Sequence, residues 1–287
     1  MKIKIWGCRG SFATPGPATL KYGGNTTCVE VRSQSGQILI LDAGSGLRRL
    51  GQQLIEEKHS GELHFLMTHA HWDHLCGFPF FEPAYRSEFT LNICGGPVPL
   101  HYLKRDLRRQ MEPPYFPVNF NLLKARIRFG CDCAQGNCAQ GLNGHQAGLE
   151  CSSIRLNHPN GGYGFKLTEN GRSLVFIPDN ELRFRHEGGL TRRDYVDFCR
   201  GADLLLHDAQ YTEVEYRRTC GWGHCTITDT VKLALSAGVK RLGLFHHDPD
   251  RTDDELDRLQ ARTRREIQRT GKPLDCFVSA EGMELEV

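Results

Sequence analysis

Thr68-His69-Ala70-His71-Trp72-Asp73-His74 places three imidazoles and a carboxylate within six positions, directly after the apolar run Leu63-His64-Phe65-Leu66-Met67. Buried imidazole and carboxylate are costly unless each finds a partner. Such a density of divalent-metal ligands at the end of a strand therefore reads as a metal site and not as packing, and the fold has to bring further ligands to that strand end.

The rest of the chain alternates short apolar runs with helical stretches and shows no internal repeat. Lys2–Trp6, Cys28–Arg32, Gln37–Leu41, Leu63–Met67, Thr90–Cys94, Ala125–Phe129, Ser153–Leu156, Tyr163–Leu167, Ser173–Ile177, Leu204–His207, Arg241–Phe245 and Cys276–Val278 read as strands, rich in Ile, Leu, Val and Phe and bounded by Gly, Asn or Asp. Helices are expected at Gly46–Lys58, Leu100–Gln110, Arg192–Arg200, Asp229–Ala237 and Asp253–Arg269. The last opens on Thr252-Asp253-Asp254-Glu255, the spacing of a capping box, and Gly238 stands where a helix needs a left-handed stop. The Gly/Pro-rich stretch Gly7–Gly24 reads as a loop over a site.

Length and composition set outer limits. Layered folds with two sheets often run to 287 residues as one unit, and nothing marks a linker, so residues 1–287 read as a single domain. With 36 Lys+Arg against 34 Asp+Glu, the overall charge demands neither nucleic acid nor an anionic membrane. No apolar run of about 18 residues occurs, so neither signal peptide nor membrane span is expected and the chain reads as cytoplasmic. Twelve cysteines in a chain this long read as reduced thiols, with no disulfides.

Further ligand candidates also stand at strand ends. Asn157-His158-Pro159 follows one strand, Pro178-Asp179-Asn180 another, and His246-His247-Asp248-Pro249 a third. Four such positions favour convergence on one edge. The count gives His69, His71 and His158 for one metal and Asp73, His74 and His246 for a second, with Asp179 able to bridge because a carboxylate has two oxygens to share. That is a two-metal site with open positions, not a closed structural site.

His69-Ala-His71-Trp-Asp73-His74, followed by His158, Asp179 and His246, resembles the metallo-β-lactamase-fold hydrolases, and Leu41-Asp42-Ala43-Gly44 resembles the aspartate-glycine strand end that precedes the cluster in that superfamily. The resemblance implies an α/β fold, a four-layer αββα sandwich. Asn157-His158-Pro159, His207-Asp208-Ala209-Gln210 and Gly223-His224-Cys225-Thr226 are similar to the phosphodiesterase branch containing ribonuclease Z and cyclic-phosphodiester hydrolases. Two positions depart from it: His207-Asp208 where His-Glu is usual, and Cys225 where a small Ser or Ala is usual. Only 20 residues separate His158 from Asp179, too few for the tRNA-gripping arm of ribonuclease Z, which argues against tRNA as a substrate.

The resemblance implies hydrolysis of a small, nucleotide-like and cyclic phosphodiester, and the two-metal count implies a hydroxide bridging two divalent ions as nucleophile. Asp73 and Asp179 would hold it in line. His224 is the candidate general acid, with Asp208 fixing its tautomer. Zn²⁺ suits the imidazole-rich set, with Mn²⁺ or Fe²⁺ as alternatives. A thioester, lactone or lactam hydrolase, or a sensor without turnover, remains open on the same cluster.

Other features are less determinate. His247 competes with its neighbour His246 for the ligand position, and Asp42 reads equally as support for the cluster or as a turn cap. Cys131, Cys133 and Cys138, with Cys151, could form a small zinc site, although their spacing matches no usual zinc ribbon. Lys104, Arg105, Arg108 and Arg109 form a basic helix face, read as solvated. A homodimer is expected by analogy alone.

Overall fold

The computed structural model describes residues 1–95, 100–130 and 149–287. In chain order the first half forms β1 (Lys2–Gly7), β2 (Cys28–Arg32), β3 (Ile38–Leu41), α1 (Leu47–Glu56), β4 (Gly61–Leu66), β5 (Phe89–Cys94), α2 (Leu100–Arg109) and β6 (Arg126–Phe129). There follow β7 (Leu149–Arg155), β8 (Tyr163–Glu169), β9 (Arg172–Ile177), α3 (Arg192–Phe198), β10 (Leu204–Asp208) and α4 (Glu213–Thr219). The chain closes with α5 (Ile227–Ala237), β11 (Arg241–Phe245), α6 (Asp253–Arg269), β12 (Asp275–Val278) and β13 (Glu284–Glu286).

The strands make two sheets, in the orders β13-β1-β2-β3-β4-β5-β6 and β12-β11-β10-β9-β8-β7. Strands β3 to β6 run parallel, as do β9 to β12, while β8 is antiparallel to both β9 and the edge strand β7, so β7 runs in the same direction as β9. Successive strand side chains point to opposite faces. In β3, Leu39 and Leu41 therefore enter a core between the sheets, where they join Phe165, Phe176, Leu206 and Phe245, and Ile38 and Ile40 enter a second core beneath α1 and α2. In β9, Leu174 and Phe176 face the first sheet while Val175 and Ile177 pack under α3, α5 and α6. Strands covered on both faces read as continuous apolar runs for this reason. Each such Leu, Ile or Phe contributes about 1.5–3 kcal/mol by leaving water. The result is the four-layer αββα sandwich.

The capping box at Thr252 forms, with Thr252 accepting from the Glu255 amide and Glu255 from the Thr252 amide, and Gly238 takes the left-handed conformation that ends α5. Four features differ from the sequence expectation. Helix α4 and strand β13 were not expected, and α5 begins two residues earlier, at Ile227, because Thr226 caps it. Cys94 is disulfide-bonded. Chain length argues only against a need for staples and says nothing of a single pairing, whereas Cys8, Cys28, Cys76, Cys199, Cys220, Cys225 and Cys276 are free thiols. Cys131, Cys133 and Cys138 lie outside the described residues. No helix among the described residues is long and apolar enough to cross a membrane.

Parallel strands carry their C-terminal ends to one edge, and this is what assembles the site. The ends of β3, β4, β7, β9, β10 and β11 lead into Asp42, His69, His158, Asp179, Asp208 and His246 respectively.

Candidate metal centre

His69, His71, Asp73, His74, His158, Asp179 and His246 come together in one cluster, with His224 and Asp208 alongside. Their candidate ligand atoms fall into overlapping groups within 4.8 Å: His69, His71 and His158; His69, His74 and Asp179; Asp73, His74 and His246; and two groups that include His224. Asp179 Oδ1 stands 3.1 Å from His74 Nε2, and its Oδ2 stands 3.3 Å from His246 Nε2, 3.7 Å from His158 Nε2 and 3.8 Å from His69 Nε2. Asp73 Oδ2 is 3.1 Å from His246 Nε2 and 3.2 Å from His74 Nε2. Asp179 thus touches both halves of the set.

Several of these atoms lack an ordinary partner. Nε2 of His69, Nε2 of His74 and Oδ1 of Asp179 are buried without a hydrogen bond, a condition native interiors avoid. The protonation pattern also suits a cation. Burial holds His69, His71 and His158 below the usual imidazole range, His158 at about 3, so they are neutral with a lone pair to offer. Burial works against the charge on Asp73 and Asp179, but His74 and His246 outweigh it and keep both carboxylates well below their usual range. His74 differs: burial opposes its charge, but Asp73, Asp179 and Asp42 raise its pKa well above the usual imidazole range, so a cation bound there would take the place of a proton. Three neutral imidazoles and two ionised carboxylates meeting at orphaned atoms fit divalent metal ions.

The opposite ring nitrogens are held by the fold. Asp42 Oδ2 pairs with His74 Nδ1 at 2.8 Å and accepts from the Thr68 hydroxyl, while its Oδ1 accepts from the Thr68 amide at 2.7 Å. Gly223 carbonyl lies 2.8 Å from His158 Nδ1 and Gln210 Oε1 2.9 Å from His246 Nδ1. Each leaves Nε2 facing the cluster, the arrangement by which ligand imidazoles are oriented. The Gly7–Gly24 loop closes over it. Ser11 amide donates to Asp73 Oδ2 at 2.8 Å, and a Cβ on Gly10 would lie 2.4 Å from His246 Nδ1. Only glycine permits that approach. Gly223 has φ +94° and a Cβ there would meet His158 Nδ1 at 2.1 Å, so two requirements converge on one glycine.

His247 points elsewhere, its Nε2 2.8 Å from the Ser279 carbonyl, and burial pushes its pKa down to about 3. Of the adjacent pair, His246 is the one in the cluster. His224 stacks on His246, centroids 4.9 Å apart, and its Nδ1 meets Asp208 Oδ2 at 2.7 Å. Burial opposes a charge on His224, but Asp208, Asp179 and Asp73 together raise its pKa to about 9. Asp208 is held in turn by the amides of Asn180, Gln210 and Cys225. Gln210, Ser11 and the Gly223 carbonyl were not anticipated, since backbone atoms and a neutral amide carry no sequence signal of ligation.

A family model described as a beta-lactamase superfamily domain matches residues 37–247. The chain belongs to that superfamily. Among curated relatives of this superfamily member, the ribonuclease Z of Haloferax volcanii is 23% identical over 302 aligned positions, covering 89% of this chain and 87% of that protein. The ribonuclease Z of Brevibacillus brevis is 32% identical over 87 residues, a match that spans 30% of this chain and only 24% of that protein. Two solved structures share the fold. The metallo-beta-lactamase fold protein YhfI from Bacillus subtilis superposes with TM-score 0.70 at 16% identity, over 100% of this chain and 98% of the other. Human tRNase Z, short form, gives 0.63 at 19% identity, over 100% and 99%.

These relatives correct one expectation. The short spacing between His158 and Asp179 argues against tRNA on the sequence alone, yet curated relatives are ribonucleases Z and a fold neighbour is a tRNase Z, so tRNA is a plausible substrate. The spacing shows only that β8 and β9 join through a tight turn at Asn170 and Gly171. Affinity for nucleic acid is dominated by phosphate contacts that any basic surface can make, so the missing arm does not decide the substrate.

Proposed function

We propose that this superfamily member is a dinuclear-metal phosphodiesterase acting on a nucleotide-like phosphodiester, either a small cyclic diester or an internucleotide linkage in RNA. The observation that carries the reading is Asp179: one buried carboxylate within 4 Å of His69, His74, His158 and His246 together, beside the His224–Asp208 pair. His69, His71 and His158 would hold one ion, Asp73, His74 and His246 the other, and Asp179 both. Two divalent ions, zinc by the imidazole-rich donor set, would supply a nucleophile at neutral pH and neutralise the phosphoryl oxygens. The protein's own groups do the rest. Asp208 orients His224 through Nδ1, which leaves Nε2 to give a proton to the departing alkoxide. The Ser11 amide on Asp73 keeps that carboxylate from turning away.

The test is a substrate panel on as-purified protein with its metal content measured: bis(p-nitrophenyl) phosphate, cyclic nucleotides, a tRNA precursor, a thioester and a lactam. Turnover of the phosphodiesters with about two equivalents of zinc per chain supports the reading. Turnover of the thioester or lactam alone sinks it. The ratio between the cyclic nucleotides and the tRNA precursor assigns the substrate within the class.

A further inference from the structure

The ligand loop has two sides. His69, His71, Asp73 and His74 face the cluster, while the residues between and after them, Ala70, Trp72 and Leu75, line a separate groove of about 350 Å³ whose other wall is Asp106, Arg109, Gln110 and Tyr115. That volume is at the small end of the range for small-molecule sites, about 300–1,000 Å³. Because Ala70 and Trp72 are each bonded to cluster residues, the groove adjoins the loop that carries the cluster.

Gln110 is the unusual member. It follows α2 directly, is 7% exposed, and neither its amide nitrogen nor its amide oxygen has a hydrogen-bond partner. A buried amide left unpaired is costly, and the groove that Gln110 lines is where its missing partners can enter. Trp72 and Tyr115 expose 59% and 80% of their surface at the same groove, an arrangement that offers flat apolar faces at a site open to ligand. Asp106 is engaged by Arg105, whereas Arg109 has no ion-pair partner among the described residues and is free to meet an anion.

We infer that this groove is a nucleobase site, with Gln110 reading the base edge and Trp72 and Tyr115 stacking on its face; the inference rests on the proposed nucleotide-like substrate. A glutamine amide presents one donor and one acceptor side by side, and the matching edge is adenine N7 and N6, whereas guanine offers two acceptors there. Aromatic stacking accepts any base. Arg109 takes a flanking phosphate. The groove therefore selects for a base and, where Gln110 reads the N7 edge, for adenine over guanine.

The test is isothermal calorimetry on as-purified protein with adenosine 5′-monophosphate, guanosine 5′-monophosphate and ribose 5-phosphate. The expected order of affinity is adenosine, then guanosine, then the base-free phosphate, with the first at least about tenfold above the last. Gln110→Leu should shrink the adenosine-to-guanosine ratio by fivefold or more, and Tyr115→Ala, at an exposed position that cannot unfold the protein, should weaken both nucleotides towards ribose 5-phosphate. Equal binding of adenosine 5′-monophosphate and ribose 5-phosphate overturns the inference, as does a Gln110→Leu protein with the wild-type ratio. If base selectivity holds and no phosphodiester is turned over, the proposed reaction fails and the groove stands; if diesters turn over without base selectivity, the groove alone fails.

Discussion

Asp42 Oδ2 lies 2.8 Å from His74 Nδ1, both residues fully buried, and the same carboxylate receives the amide and hydroxyl of Thr68. One strand end therefore braces the next: the register of β3 on β4 puts Leu41 opposite Leu66, and the residues just beyond each meet. Asp42 decides which nitrogen His74 presents to the cluster. Asp42→Ala should weaken metal affinity by about 10–100-fold and lower stability as the Thr68 amide and His74 Nδ1 lose their partner. Asp42→Asn, which keeps an acceptor, should recover part of both. Titration with a zinc chelator, alongside thermal unfolding, reads the two effects separately; wild-type metal retention in Asp42→Ala would remove the bracing role.

His224 separates the two chemical duties of the site. Its Nδ1 is committed to Asp208 and its ring stacks on His246, so it contacts the cluster without being needed to complete either group of three ligands. His224→Ala should retain two metals and lose about 10²- to 10⁴-fold in kcat on a diester with a poor leaving group, and less on bis(p-nitrophenyl) phosphate, whose nitrophenolate departs without a proton. Asp208→Asn should show the same pattern more mildly. Loss of metal from His224→Ala would instead make His224 a ligand, as its proximity to His158 and Asp179 allows.

The parts of this molecule legible in the sequence are those where one period dominates. Strands buried on both faces, such as Ile38–Leu41 and Leu204–Asp208, announce themselves as unbroken apolar runs, and the polar residues just past them mark the shared edge. Helix α4 escaped because seven residues with only Tyr216 buried and Val214 exposed carry no apolar face; the overlooked sign was Thr212-x-x-Glu215, a capping box that does form. Strand β13, Glu-Leu-Glu, is an edge strand with one half-buried side chain. Gln210 meets His246, and Glu181 meets Tyr216, Gly221 and Gly223, across 35 or more positions, while Gln110 lines a groove, and no local pattern encodes those. The cluster of candidate ligands is legible, and of its supports only Asp42 and Asp208 are, because candidate ligands are limited to a few residue types whereas supports need only a donor or acceptor in the right place.

His207 makes the folded state sensitive to acid independently of any metal. It is fully buried on β10, with Nδ1 2.8 Å from the Asp208 carbonyl and Asn180 Nδ2 3.4 Å from Nε2, and burial lowers its pKa below the ordinary value of 6.5. The unfolded chain then binds a proton that the folded chain refuses. Stability from this residue is complete above about pH 6.5 and falls as pH drops towards the folded value. His207→Gln, which cannot titrate, should lose less Tm between pH 7.5 and pH 5 than the wild type, and comparison of the two cancels the acid release of metal common to both. Parallel Tm curves for the two proteins would assign the acid sensitivity to the cluster alone.

Glu181 is fully buried and gathers four groups: Oε1 accepts from the Tyr216 hydroxyl at 2.6 Å and the Gly221 amide at 2.8 Å, and Oε2 accepts from the Gly223 amide at 2.8 Å and pairs with His186 Nε2 at 3.0 Å. Two of those donors belong to the turn that carries the Gly223 carbonyl against His158 and leads into His224. Glu181 is accordingly a positioning residue for both halves of the site, acting through the backbone and never touching the cluster. Glu181→Ala leaves several buried donors unpaired, each worth about 1–3 kcal/mol, and should unfold well below the wild-type temperature. Glu181→Gln is the sharper probe, because it keeps the shape and sets an amide NH₂ against backbone N–H groups on one side. Its Tm should fall by several degrees, and metal should be lost at lower chelator concentration, with kcat per bound metal pair also reduced as His224 shifts. A Glu181→Gln protein that is merely less stable, with unaltered chelator sensitivity and unaltered kcat, would confine Glu181 to holding the turn and deny it any hold on the site.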